Sequence, residues 1–271
     1  GVDLAVKQTP FVIGGRVDPL LAVLMADATT RAMWERGVRL KDRSLLDRAV
    51  MVQSKLLDRE DLGLKADSLR PLAFEKLGLL AVGAGDDVPP AVRLARAIMM
   101  ARGATTRETT AEAVKAFRSV ADAPDAGEYA ADALWEWAVL LSQGSPPDRV
   151  GAAEVLTRLA HEQPKSVHAA DAMGAALAYA RAAVVEGGGK GHARRTYEAA
   201  LAVATEEYPA LAEIDLWRYE RARLLSEPEG GGEPTEADAD KAMQLLEQAS
   251  GTASGVADRL HERVGAGILD R

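Results

Sequence analysis

Four histidines are the side chains in this chain best suited to binding a metal or moving a proton. His161 is followed by Glu162 as in the helical zinc-protease motif, but that motif needs a second histidine four residues on, where Lys165 stands. Pro164 would also interrupt the helix. His161 and His168 could share a metal across the turn, yet no third ligand lies nearby in the sequence. We therefore expect exposed histidines at a junction between helices, and no metal site.

A glycine-rich segment at 187–191 contains Lys190 and resembles part of a phosphate-binding loop. Such a loop needs Gly-x4-Gly-Lys-Ser/Thr after a buried strand. Here Val184 stands where the first glycine is required, Gly191 replaces the hydroxyl residue, and a helix precedes the segment. The segment is therefore predicted to be a flexible loop between helices.

The sequence offers no catalytic set. Glu206 and Glu207 are adjacent, so on a helix they point about 100° apart and cannot share a substrate. The chain has no cysteine, which excludes thiolate nucleophiles and zinc-thiolate sites, and it has no Gly-x-Ser-x-Gly elbow. We predict no enzyme activity and no cofactor.

The overall charge also narrows the choice of partners. Asp and Glu outnumber Lys and Arg by 41 to 33, a net charge of −8, which argues against nucleic acid or an anionic membrane as the partner. No apolar run approaches the ~18–20 residues of a membrane span. Apolar residues make up 48% of the chain and aromatic residues 4%, with alanine prominent, so closely packed helices are expected.

The elements that must position any site are helices. Residues 1–18 are predicted to be an extended N-terminal segment, and helical periodicity of apolar residues begins at about residue 19. Gly103, Gly144, Gly187 and Gly230 each follow a predicted helix, so left-handed caps are expected there. The predicted helices are 19–37, 43–60, 67–83, 89–102, 107–122, 127–143, 147–162, 166–185, 190–207, 211–226, 236–249 and 254–268.

One spacing recurs in the second helix of successive pairs: a small residue, a large residue one turn later, and an apolar residue three further on. The repeats are about 40 to 50 residues apart, and the loops absorb the variation. The sets are Ala113, Phe117 and Val120; Ala152, Leu156 and Leu159; Ala193, Tyr197 and Ala200; and Ala242, Leu246 and Ala249.

These sets resemble the second helix of tetratricopeptide (TPR) repeats. The first-helix pattern of that family, large-x2-Leu-Gly-x2-large, is matched at 74–81 and 170–177, and Pro164 falls where the family places its closing proline. The junction at 163–166 is similar to those of bacterial cell-envelope TPR proteins of the outer-membrane assembly and cell-division coordinator type. The resemblance implies an all-α, right-handed α-α superhelix of about 12 antiparallel helices over 19–271, with an irregular junction near 85–107.

Glycine inside a helix costs roughly 1 kcal/mol relative to alanine. Gly78 and Gly174 fall mid-helix, so we expect a neighbouring helix to approach each closely, with Ala152 and Ala193 as the facing residues. Gly174→Leu is then expected to destabilise the fold by roughly 1–3 kcal/mol through overpacking.

In the TPR family the first helices line a concave groove, and the resemblance implies a non-catalytic scaffold or adaptor that binds a peptide or a partner helix there. Aromatic side chains beside small ones suit such an interface. Using the family register, the candidate partner-binding residues are Glu128, Ala131, Trp135, His168, Asp171, Tyr179 and Trp217.

Two other functions stay open at this point. One is a cell-wall module that binds peptidoglycan or another glycan. The other is self-assembly through the last predicted helix, 254–268, whose apolar stripe has no partner helix in the repeat and would suit a homodimer. The resemblance implies a bacterial periplasmic or cell-envelope location, with a cytoplasmic one as the alternative.

Overall fold

The computed structural model describes residues 19–57, 74, 76–79, 88–211, 213–229 and 231–249. Within these ranges every regular element is helical and no β-strand occurs, so the predicted all-α class is confirmed. The ten helices are α1 (Pro19–Leu40), α2 (Arg43–Leu57), α3 (Pro90–Arg102), α4 (Arg107–Ala121), α5 (Tyr129–Ser142), α6 (Arg149–Glu162), α7 (Ala169–Glu186), α8 (Gly191–Glu207), α9 (Ile214–Ser226) and α10 (Glu236–Gln248).

The predicted helix positions agree with these ten helices to within about three residues at each end. Of the predicted helix 67–83, the described residues 74 and 76–79 are helical. The predicted helix 254–268 and the extended segment 1–18 lie outside the described residues.

Local capping fixes several helix starts. The Thr106 hydroxyl accepts a hydrogen bond from the backbone N–H of Thr109, and the Thr109 hydroxyl accepts one from the Thr106 N–H, which together form a capping box. Asp148 caps α6 by accepting from the Gly151 N–H at 2.8 Å. A cap of this kind typically stabilises a helix by about 1 kcal/mol.

The glycines at the helix ends differ from the prediction. Gly103 and Gly187 have φ values of −89° and −83°, and Gly144 is not among the described glycines with positive φ, so left-handed caps at these three positions are wrong. After α7 the left-handed conformation falls on Gly188 and Gly189, with φ of 68° and 79°. The Gly188 N–H donates to the Val185 carbonyl and the Gly189 N–H to the Val184 carbonyl, so α7 ends in a Schellman motif whose left-handed residue is Gly188, the residue after the C-cap. The fourth predicted cap, at position 230, lies outside the described residues.

The chain divides into two compact units, 1–140 and 141–271. In the first unit α1 packs on α2, α3 packs on α4, and α2 contacts α3. The ring of Phe74 meets that of Tyr129 edge-on, with centroids 6.2 Å apart. Fully or almost fully buried side chains of this core include Val23, Leu77, Leu94, Phe117, Val120 and Ala133.

In the second unit each helix from α6 to α10 packs on the next one along the chain, and α6 also packs on α8. The recurring sequence spacing forms the buried stripe of α4, α6, α8 and α10. Ten of its twelve members are no more than 3% exposed. Ala193 and Ala249 are the two that are partly exposed. The spacing is therefore a packing signal, and the abundance of alanine in it allows close contact between helices.

The two mid-helix glycines behave differently. A Cβ atom at Gly78 would lie 2.5 Å from Cγ of Met99 and 3.0 Å from the carbonyl oxygen of Ala95, so α3 does approach this residue closely. Gly174 is exposed, and a Cβ there would have no atom within 4 Å beyond its own chain neighbours. The predicted tight contact at Gly174 is therefore wrong, and the overpacking on which the predicted destabilisation by Gly174→Leu rested is not present among the described residues.

Candidate functional site

Three predicted groove residues lie at or in α5, in the first unit. Glu128 is exposed in the turn before the helix, and Trp135 is half-buried within it. Ala131 is 3% exposed, so its methyl group belongs to the packing of the unit. Glu128 and Trp135 are thus the two members of this group that a partner could reach.

Four predicted residues lie in the second unit. His168 is half-buried immediately before α7, Asp171 is exposed in its first turn, and Tyr179 is half-buried two turns later. Trp217, in α9, is only 7% exposed. Its indole ring therefore packs inside the unit and leaves little surface for a partner.

The outer face of α7 is an open stripe of small residues. Ala170, Gly174 and Ala178, spaced four residues apart, are all exposed and lie on one side of the helix. Tyr179 lies beside this stripe, and Val185 near its C-terminal end is 76% exposed. Because none of the three stripe residues carries a side chain longer than a methyl group, another chain could approach the helix backbone closely. We call Ala170, Gly174 and Ala178 the α7 stripe.

A second surface was not anticipated from the sequence. An open cleft of about 490 Å³ lies between α6 and α8 in the second unit. Two of the residues that line it, Ala199 and Val203, are apolar, and the other seven are polar or charged. The residues that line it are Glu154, Thr157, Arg158, His161, His192, Arg195, Thr196, Ala199 and Val203.

Two histidine–carboxylate pairs join α6 to α8 along this cleft. Nε2 of His192 lies 3.2 Å from Oε1 of Glu154, near the start of both helices. Nδ1 of His161 lies 2.6 Å from Oε1 of Glu207, near the end of both helices. The earlier contact along α6 is also the earlier one along α8, and the later contact is the later one along both, so the two helices run parallel. The Thr196 hydroxyl donates to the same Glu154 oxygen at 3.1 Å.

The cleft also carries two guanidinium groups. Nε of Arg158 donates to Glu162 on the same helix at 2.9 Å. Arg195 is exposed and forms no ion pair with any residue in the described part of the chain. The cleft therefore combines two apolar lining residues with one positive group, Arg195, that has no counter-ion among the described residues.

A sequence signal for this cleft existed. On α6, Glu154, Arg158 and His161 recur at helical spacing and give a polar stripe. On α8, His192, Thr196, Ala199 and Val203 also share one side, the first two polar and the last two apolar. Each stripe by itself is typical of a solvated helix face. Only the packing of α6 on α8 brings them together.

Tyr197, outside the cleft, is a deeply buried ionisable group of the second unit, 1% exposed. Burial, with the Glu220 carboxylate as a second cause, raises the pKa of Tyr197 well above its usual range. Glu220 is itself 8% exposed and pairs with Arg223 at 2.9 Å. The phenol therefore keeps its proton throughout the physiological pH range, and its role is in packing.

Among the described residues, no group of three or more His, Asp or Glu side chains is arranged to hold a metal ion. Over the same part of the chain, no helix is both long enough and apolar enough to cross a membrane.

The fold and the two surfaces define an all-α protein whose described helices carry one open small-residue face and one polar-rimmed cleft. Comparison with models of protein families, with curated proteins and with solved structures finds no match to this chain.

Proposed function

We propose that this protein is a non-catalytic scaffold that binds a peptide or a partner helix. The binding face is formed by the first helix of each helix pair, and α7 is such a helix. The observation that carries the proposal is the α7 stripe, which leaves Ala170, Gly174 and Ala178 exposed in a row. The architecture that we propose is a TPR-like right-handed solenoid. Its support is the packing of each helix from α6 to α10 on the next, together with the burial of the recurring spacing in α4, α6, α8 and α10.

The chemistry of the α7 surface suits an extended segment or a helix. Small residues permit close backbone approach and van der Waals contact over a long track. Tyr179 offers a half-buried aromatic ring beside the track, and aromatic rings are frequent anchors at protein interfaces. Asp171, exposed in the first turn of the same helix, favours a partner with a positive group at that end.

The proposal extends to a bacterial cell-envelope location, for which the support is the similarity of the 163–166 junction to TPR proteins of that compartment. Expression of the full-length gene product in its host, followed by separation of periplasmic and cytoplasmic fractions, tests this part. Recovery in the cytoplasm alone would contradict it.

Photo-cross-linking tests binding at the α7 stripe. A photoreactive amino acid in place of Ala170, introduced into the protein in its host, is expected to form a reproducible cross-link to one partner segment identified by mass spectrometry. Adding Ala178→Arg is expected to reduce that cross-link at least tenfold, since the long charged side chain covers the stripe.

Ala111→Arg is the matched control because Ala111 is exposed on α4 and lies outside the stripe. This variant should keep the cross-link. Equal loss in both variants, or an undiminished cross-link in Ala178→Arg with normal helical circular dichroism, would contradict binding at this face.

A further inference from the structure

We propose that the cleft between α6 and α8 binds a small organic monocarboxylate, a molecule with an aliphatic or aromatic body and one negative group. This site is separate from the α7 stripe, and the proposal does not depend on the scaffold function.

The size and interior of the cleft indicate the body of the ligand. A volume of about 490 Å³ lies within the roughly 300–1,000 Å³ typical of small-molecule sites. Ala199 and Val203 of α8 line it with apolar groups, and Thr157 of α6 adds a methyl group. A ligand that buries a hydrocarbon or ring surface there gains roughly 25 cal/mol per Å² of apolar area removed from water.

The charges around the cleft indicate which polar group the ligand carries. Arg195 has a planar guanidinium without an internal ion pair in the described part of the chain, and that group matches a carboxylate through two parallel hydrogen bonds. Arg158 places a second positive charge on the opposite helix. Arg158 is already paired with Glu162, so Arg195 is the positive group of the cleft that is left to attract an anion.

The neighbouring carboxylates limit how much negative charge can enter. Glu154 lies on the rim itself, Glu162 accepts from Arg158, and Glu207 contacts His161. A phosphate dianion would be repelled by all three groups. A monocarboxylate carries half that charge, so it can use Arg195 with less repulsion.

The packing of α6 on α8 sets the walls of the cleft, and two exposed contacts bridge the two helices. The pairs Glu154–His192 and His161–Glu207 connect α6 to α8 at both ends, and Thr196 adds a hydrogen bond to Glu154. A site whose walls are fixed before the ligand arrives loses less conformational entropy on binding.

An NMR titration of the ¹⁵N-labelled full chain tests the proposal, with sodium benzoate as the probe. Benzoate is expected to shift amide signals of α6 and α8. Its neutral analogue benzamide and inorganic phosphate should bind at least tenfold more weakly. Equal responses to benzoate and benzamide, stronger binding of phosphate, or no response to benzoate would overturn the proposal.

Two variants locate the binding. Arg195→Gln is expected to weaken benzoate binding about tenfold or more, because a hydrogen-bonded ion pair is lost. Ala199→Phe should abolish binding by filling the cleft, and because Ala199 is exposed the core is not disturbed. Arg107→Gln removes an exposed arginine of α4 that does not line the cleft, and it should bind benzoate as the parent does.

Unchanged affinity in Arg195→Gln, or benzoate binding by an Ala199→Phe variant with a well-dispersed spectrum, would also overturn the proposal. Ala178→Arg, which lies on the α7 stripe, is expected to leave the benzoate titration unchanged. The scaffold proposal and the cleft proposal can therefore fail separately.

Discussion

Gly78 and Gly174 occupy the same place in the same sequence pattern, a large apolar residue followed by glycine, yet their surroundings are opposite. At Gly78 the missing side chain makes room for α3, whose Met99 and Ala95 fill the space. At Gly174 the missing side chain leaves an open surface on α7. A glycine inside a helix therefore does not by itself indicate that another helix packs closely against it.

The energetic consequence differs as well. Each glycine costs its helix roughly 1 kcal/mol relative to alanine. At Gly78 the close packing of α3 offsets this cost within the fold. At Gly174 nothing in the described part of the chain offsets it, which is the expected situation if a partner molecule uses the space.

Gly78→Leu should give the largest effect in this comparison. Four additional carbon atoms would have to displace Met99 and the backbone near Ala95, so we expect a loss of roughly 1–3 kcal/mol in the free energy of unfolding. Urea unfolding followed by tryptophan fluorescence measures it. An unfolding midpoint equal to that of the parent would show that α3 does not lie against this residue.

A double-mutant cycle identifies the contact responsible. Gly78→Ala is expected to cost about 1 kcal/mol less in a Met99→Ala background than in the parent, because the nearest atom to the new Cβ is Cγ of Met99. The measurement is the same urea unfolding on the four proteins of the cycle. Additive effects within error would assign any strain to the Ala95 carbonyl instead.

Gly174→Ala should have the smallest effect and the opposite sign. The added methyl group meets open space, and the gain in helix propensity is expected to stabilise the fold by about 0.5–1 kcal/mol. Gly174→Leu should likewise not destabilise it. A decrease in stability in either variant would show that another part of the chain packs against α7 at this point.

Gly174→Leu also tests whether the glycine belongs to a binding surface. If the α7 stripe binds a partner, Gly174→Leu should weaken the Ala170 photo-cross-link while thermal stability is kept. Full cross-linking in Gly174→Leu would separate the glycine from the binding surface.

The helices were predictable because their signals are local. Apolar residues at helical spacing, with Thr106 and Thr235 at helix starts, are properties of neighbouring residues along the chain. The buried stripe was predictable for the same reason, since Phe117, Leu156 and Tyr197 each follow a small residue by four positions.

The surfaces were harder to predict because each depends on two or more helices. Trp217 was assigned to a groove from its register, but packing leaves it 7% exposed. His161 was correctly expected to be exposed, whereas His168, expected to be exposed as well, is half-buried. The pairing of His161 and His192 with carboxylates across α6 and α8 has no counterpart in the local sequence.

Over the described residues, the amino-acid sequence alone determined that the chain is helical, where its helices lie, and which stripe of α4, α6, α8 and α10 is buried. Those properties follow from the period of the α-helix and from side-chain size. Only the tertiary structure decided that Gly78 and not Gly174 contacts another helix, and that the stripes of α6 and α8 lie side by side. Both depend on the distance and rotation between helices that are separated in sequence.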